Sequence, residues 1–322
     1  MKTPLRRIAA AALATALTLT GTACTDSSAT DADQLTVGFV VDPSWAQIPV
    51  AADNGLFSNH NVNVKVVNFQ SGVEALQAAA AGQVDITTAA DVPTSATLTR
   101  TPTLRVIADG SRWEGSRIVA RRSAGINSLA DLAGKSIGTP QGTSAAYYVS
   151  NALAQNNIKA ELVQVAPSAI VTAATQRNVD AVSIFQPYQA QTIKALGDDA
   201  VALTGGTYNQ HSLFIATDAA VSNKGKAITA FLAALGDAGS ALSQHDKSAT
   251  DAVAKATQLD PELLSTVLGE FDFTLQLKPD LADKLAELGT WAKTQKSIDP
   301  GTQLPDYAKF LDNRFLPEPS KS

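Results

Sequence analysis

Residues 128–148 read Ser-Leu-Ala-Asp-Leu-Ala-Gly-Lys-Ser-Ile-Gly-Thr-Pro-Gln-Gly-Thr-Ser-Ala-Ala-Tyr-Tyr, and the fold turns on how this stretch is punctuated. Ser128 with Asp131 three positions on starts a short helix, and Gly134 ends it. Residues 135–139 form a short strand, Pro140, Gln141 and Gly142 turn the chain, and a new helix opens at Thr143. A helix start exposes unpaired backbone N–H groups and the positive end of the helix dipole, and the Thr143 and Ser144 hydroxyls add donors. Such a cradle suits a small anionic group, although an ordinary strand-to-helix turn with a Ser/Thr cap reads the same locally. Gly134-Lys135-Ser136 has the look of a P-loop tail, but Leu129 stands where that motif needs glycine, so no nucleotide site is expected.

Outward from this stretch the chain alternates strand and helix. On the N-terminal side, strands are expected at 35–41, 62–69, 84–88, 104–108 and 117–120, with helices ending at Asn54 and Gly55, spanning 72–81 and opening near Val92. On the C-terminal side come a helix at 143–155, strands at 161–165, 180–185, 201–204 and 211–216, and helices near 167–176 and from Pro187. Beyond that the strands stop. Residues 223–245, 249–258, 261–270, 279–296 and 305–315 read as helices that pack back on the first half. Repeated strand-turn-helix units with apolar strands imply an α/β fold of mainly parallel sheets covered on both faces.

The 322 residues are 45% hydrophobic, 17% charged and 6% aromatic, a composition long and apolar enough for two lobes with separate cores. There is no basic cluster, so nucleic-acid binding is not expected. Residues 1–23 read as an export signal: Lys2, Arg6 and Arg7 precede the apolar run 8–19, and small residues lead to Cys24. As a helix that run reaches roughly 18 Å, short of a ~30 Å hydrocarbon layer. Its removal takes three cations and moves the formal charge from −5 to −8. Cys24 is the only cysteine, which excludes an intrachain disulfide or a cysteine metal cluster. Its place resembles the lipobox of bacterial lipoproteins, with Gly21 where Leu is usual, and a plain secretory signal is the alternative. The small, polar, acidic segment 25–34 reads as a tether.

Four blocks in order resemble the periplasmic-binding-protein-like solute-binding proteins of ABC importers, in the nitrate, sulfonate, taurine and thiamine-precursor (NMT1/THI5-like) branch. They are Ala-Ala-Asp-Asn-Gly-Leu-Phe at 51–57, Gly72 through Ile86, Ser128 through Gly138 with Gly142-Thr143-Ser144, and Asn178 through Pro187. The resemblance implies a two-lobe type II fold: lobe 1 at 35–120, lobe 2 at 121–208, and a return to lobe 1 with C-terminal helices at 209–322. The hinges would lie near 121–124 and 205–208. It also implies an exported lipoprotein, anchored through Cys24 to the outer face of the cytoplasmic membrane, that captures a solute as a monomer and passes it to an ABC permease and its ATPase. No cofactor, metal or catalytic residue is implied. Related enzymes make pyrimidine precursors with a cysteine-rich motif that this chain lacks, and it has no G-x-S-x-G or H-E-x-x-H either. A receptor serving a membrane sensor kinase is the alternative of another class.

Parallel strands aim their C-terminal loops at one edge, where helix starts also converge. The ligand-binding candidates are therefore Asp42, Ser44 and Trp45; Gln70, Ser71 and Gly72; Ala90 and Asp91; Arg112, Trp113 and Glu114; Gly142, Thr143 and Ser144; and Gln186 and Tyr188. Trp45 and Trp113 would wall the cleft or cover a local core. Asp91 reads equally as a helix cap, Arg112 as a solvated charge, and Phe185 and Tyr188 as cleft or core. His60, His211 and His245 read as structural, with His211 the one near the cleft. The donors at 142–144 favour a small sulfonate, nitrate or taurine-type solute. The acids nearby would repel a bare anion, so an aminosulfonate or a heteroaromatic such as a thiamine pyrimidine precursor would use both features.

Overall fold

The computed structural model describes residues 34–317; the export signal, Cys24 and almost all of the tether lie outside the described residues. The chain enters through β1 (Gln34–Val40), a 3-10 turn at Pro43–Trp45, α1 (Gln47–Asp53), α2 (Leu56–Asn59), β2 (Asn63–Phe69), α3 (Gly72–Ala80), β3 (Ile86–Ala90), α4 (Asp91–Leu98) and β4 (Leu104–Trp113). A second run holds β5 (Ile118–Arg121), β6 (Ser136–Thr139), α5 (Ser144–Gln155), β7 (Glu161–Gln164), α6 (Ile170–Thr175), β8 (Ala181–Ser183), α7 (Tyr188–Leu196) and β9 (Ala200–Leu203). The return comprises β10 (Gln210–Thr217), α8 (Asp218–Asn223), α9 (Gly225–Ser243), α10 (Lys247–Thr257), α11 (Pro261–Leu268), β11 (Phe271–Asp272) and α12 (Leu281–Thr294).

These elements form two sheets, ordered β11-β4-β10-β3-β1-β2 and β7-β6-β8-β5-β9. In the first, β1 to β4 share one direction, while β10 runs antiparallel between β3 and β4. In the second, β5 alone is reversed, between β8 and β9. Strand directions are thus mainly parallel, with β10 and the short β11 reversed in the first sheet and β5 in the second. Alternation along β10 serves two cores at once. Leu213 and Ile215 join α3, α4 and α12 on one face, whereas Phe214 and Ala216 join α1 and α9 on the other. The second sheet repeats the device, with Ile118 and Ala120 on one face and Val119 on the other.

Several expectations need correction. β5 belongs to the second sheet, so the first crossing lies at residues 114–117 rather than 121–124, and the lobe boundary at 120 moves with it. Gly115 makes that passage sterically possible: a Cβ there would sit 2.0 Å from Glu270 Oε2 and 2.1 Å from Trp113 Nε1. The fourth strand continues to Trp113, because β10 and β11 pair with its far half. A short strand, β11, appears where only helices were expected, and 305–315 forms two 3-10 turns, Tyr307–Phe310 and Asn313–Phe315.

The C-terminal helices do pack on the first sheet, α9 to α11 sharing one core with α1 and β1. The exception is α12, which straddles both lobes: Leu285 joins the first-sheet core, while Leu288 and Trp291 pack with Tyr147 of α5. Tyr147 meets Tyr208 and Trp291 edge-on, with centroids 4.9 and 5.1 Å apart. The two lobes are therefore held in contact.

Phe231 of α9 is fully buried, stacked on Phe57 at 5.6 Å and edge-on to Phe214 at 5.9 Å. Phe231→Ala is expected to cost about 3–5 kcal/mol of unfolding free energy, read from the urea midpoint at constant slope.

Candidate functional site

The site begins where β6 gives way to α5. Gly142 takes a positive φ of 75°, and Thr143 follows in extended backbone as the N-cap. The Thr143 hydroxyl donates to the Pro140 carbonyl at 2.7 Å and does not cap the helix. The first-turn N–H groups of α5 therefore have no side-chain acceptor, and the start of a helix of 12 residues faces the opposite lobe. Phe185, just past β8, stands beside it.

The facing wall comes from the ends of β1 and β3 and from the returning β10. Asp42 caps the 3-10 turn, accepting from the Ser44 N–H at 2.8 Å, and is 2% exposed. Burial pushes its carboxyl up to about 7, although the Ser44 backbone and hydroxyl bonds oppose the rise. Trp45 lies with its indole N–H on the Leu213 carbonyl at 3.2 Å, so one ring both fills core and walls the site. Gln210, at the first position of β10, donates through Nε2 to Ser44 Oγ at 3.3 Å.

Between the two walls lies a cavity of about 20 Å³, lined by Val40, Asp42, Trp45, Gly72, Ala90, Pro93 and Gln210 on one side and by Thr143, Ser144 and Phe185 on the other. That volume holds a water molecule and excludes any organic solute. No lysine or arginine lines it.

Six of the sequence-derived residues meet there: Asp42, Trp45, Gly72, Ala90, Thr143 and Ser144. Four others border it. Ser44 links Asp42 to Gln210, Ser71 caps α3 at Glu74, Gln186 accepts from the Ala190 N–H, and Tyr188 stands edge-on to Phe185. The Tyr188 hydroxyl is pushed up by burial and then by the charges of Asp42 and Glu74. Gly142 shapes the turn. Asp91 sits behind the wall, accepting from Val92 N–H, the Tyr208 hydroxyl and the His211 N–H, and burial pushes its carboxyl up to about 6. Asp91 is the first residue of α4, whose N-cap is Ala90 without a side-chain bond, so it is not the cap that the plainer reading expected and instead ties the helix start to Tyr208 and His211.

The structure does not bring the remaining four to the cavity. Gln70 is exposed, with its N–H toward Glu74. Trp113 is stacked on Phe271 at 5.5 Å and bonded to Glu270, because β11 pairs alongside it. Arg112 and Glu114 line a separate open groove of about 590 Å³ near the outer edge of the first sheet, where Arg112 pairs with Asp109 and Asp272. His211 also lines that groove and bonds Asp109 at 2.8 Å. Gln210 was missed, since a polar residue opening a strand carries no signal of its own.

Among the described residues no cluster of histidine, cysteine and acid could hold a metal ion, and no helix is long and apolar enough to cross a membrane.

Comparison with known proteins agrees with this architecture. The structure superimposes on the periplasmic aliphatic sulphonate binding protein SsuA of Escherichia coli with a TM-score of 0.75 at 18% identity, covering 90% of this chain and 95% of that one. It superimposes on the periplasmic nitrate-binding protein NrtA of Synechocystis with a TM-score of 0.70 at 13% identity, covering 88% and 86%. At these identities the likeness speaks for the fold. A protein of Brucella abortus, given a provisional binding role by its name, is 28% identical over 239 residues, 71% of this chain and 73% of the relative. These three are described as binding proteins, none as an enzyme. The family model described as NMT1/THI5 like matches residues 42–249, which include all of the cavity lining but Val40, and the chain belongs to that family.

Proposed function

We propose that this chain is an extracytoplasmic solute-binding protein of an ABC importer, which traps a small sulfonate-, nitrate- or taurine-type solute between its lobes and releases it to a membrane permease. The observation that carries the reading is the narrow cavity, lined from both lobes and holding an uncapped helix start against a buried aromatic wall. In this reading the lobes are residues 34–113 with 209–317, and 118–204, joined by the two crossings. A cavity of about 20 Å³ admits nothing larger than water, so the lobes part to take solute and close over it. Cys24 would tether the body to the outer face of the cytoplasmic membrane. Trp45 and Phe185 on opposite walls, with Asp42 beside them, favour a second ligand class, a flat heteroaromatic amine such as a thiamine pyrimidine precursor.

Two outcomes test this. The mature chain, screened by thermal shift against sulfonates, taurine, nitrate and aminopyrimidines, is expected to gain about 2.7 kcal/mol with a ligand at 100 times its Kd. Its radius of gyration in X-ray scattering should fall with the same ligand, and Ser144→Val should weaken that ligand about tenfold. An unchanged radius together with an unchanged Ser144→Val affinity sinks the placement of the site.

The second outcome is a pH dependence without ligand. The Asp42 carboxyl holds its proton to about pH 7 when folded and releases it near its ordinary 3.8 when unfolded, so its burial destabilises the protein increasingly as pH rises through that window. The melting temperature of Asp42→Asn minus that of the parent should grow from pH 4 to 7 and level off above.

A further inference from the structure

We propose that α12 is a strap that sets the balance between open and closed lobes from outside the cavity, with Tyr147 and Trp291 as its positioning residues, so that part of the population closes before any solute arrives. This rests on the reading that the lobes part and close. Its ground is that α12 has two working faces. One is fixed to the first lobe. Leu281 and Leu285 are buried in the core that α12 shares with α3 and α4, and the Ser95 hydroxyl of α4 donates to the Leu285 carbonyl at 2.6 Å. A Cβ on Gly289 would sit 2.5 Å from the Tyr307 hydroxyl, so the helix lies directly on its support.

The other face presents Lys284, Glu287, Leu288 and Trp291, spaced i, i+3, i+4 and i+7 and therefore on one stripe. A single side chain of the second lobe, Tyr147 of α5, meets all of it. The Tyr147 hydroxyl donates to Glu287 Oε1 at 3.1 Å, and its ring stands edge-on to Trp291 at 5.1 Å, with the Lys284 ammonium 5.8 Å from its centre. Leu288 shares its core, and Tyr208 of the second crossing packs edge-on at 4.9 Å. None of these residues lines the cavity. The link to the cavity is α5 itself. Ser144 opens this helix and lines the cavity, and Tyr147 stands three residues on. A hydrogen-bonded helical turn moves as a unit, so the motion that brings the start of α5 to the opposite wall also seats Tyr147 on α12. The seated contact involves no atom of a solute, and it therefore biases the lobes toward closure by itself.

The test needs no solute. A Cys24→Ser chain with spin labels on cysteines placed at the exposed Gln77 of α3 and Gln155 of α5 is measured by pulsed electron resonance in the absence of any ligand. The distance distribution should contain a component at the separation of the closed structure. Trp291→Ala should lower the weight of that component relative to longer distances at least about threefold, and Trp291→Phe, which keeps an edge-on ring, should lower it less. Glu287→Ala, at an exposed position where the fold is not at risk, should lower it about twofold. A parent with no component at the closed distance, or a component of the same weight in Trp291→Ala and Glu287→Ala, overturns the strap and leaves the cluster as a pivot that stays packed in both states. The two readings fail separately: a screen in which no compound binds ends the solute reading and leaves these distances as they are, whereas unaltered distances end the strap and leave the cavity as the solute site.

Discussion

The insertion of β10 antiparallel between β3 and β4 is the constraint on which the molecule depends. A chain that has left its first sheet to build a second must come back, and the only way to bury the returning strand on both faces is to place it inside the first sheet rather than at its edge. That placement commits Leu213 and Ile215 to one core and Phe214 and Ala216 to the other. It also sets Gln210 and His211 beside residues more than 100 positions away in sequence. The cavity wall and the crossing are consequences of the same pairing.

The electrostatics behind the cavity follow from that crowding. Asp42, Asp91 and Asp109 are each under 4% exposed, and the basic side chains paired with Asp109 are Arg112 and His211. Burial works against a charge on His211, but the Asp109 bond and the charges of Asp109 and Asp91 raise its affinity for a proton above the usual. Asp91 is served by two backbone N–H groups and the Tyr208 hydroxyl. Asp42 has only Ser44, and it is the acid that lines the cavity. The least compensated carboxyl thus stands where an incoming group can reach it.

The contact that keeps the lobes together is apolar and lies beside the cavity. Val92 at the start of α4 packs into the core of the second lobe, and α12 brings Leu288 and Trp291 to the same place. An element from the far end of the chain therefore bridges the two halves, and any opening of the cleft must slide or break the Tyr147, Tyr208 and Trp291 cluster.

Much was legible in the residues alone because it is set locally. The glycine at 142, the capping pair Ser128 and Asp131, the Asp260-Pro261 helix start and the apolar alternation of the strands each act within a few residues, and all stand where they were read. Hence the α/β class, the two runs and the six cavity residues on loops after strands were within reach. Strand order was not, because β5 and β10 look like any buried strand until a partner is chosen. That choice is made by long-range pairing and two-sided burial. It moved the first crossing to Gly115 and took Arg112 and Trp113 away from the cleft. It also brought Gln210 to the cavity wall, against a serine 166 residues earlier, a relation that exists only once the sheet has closed.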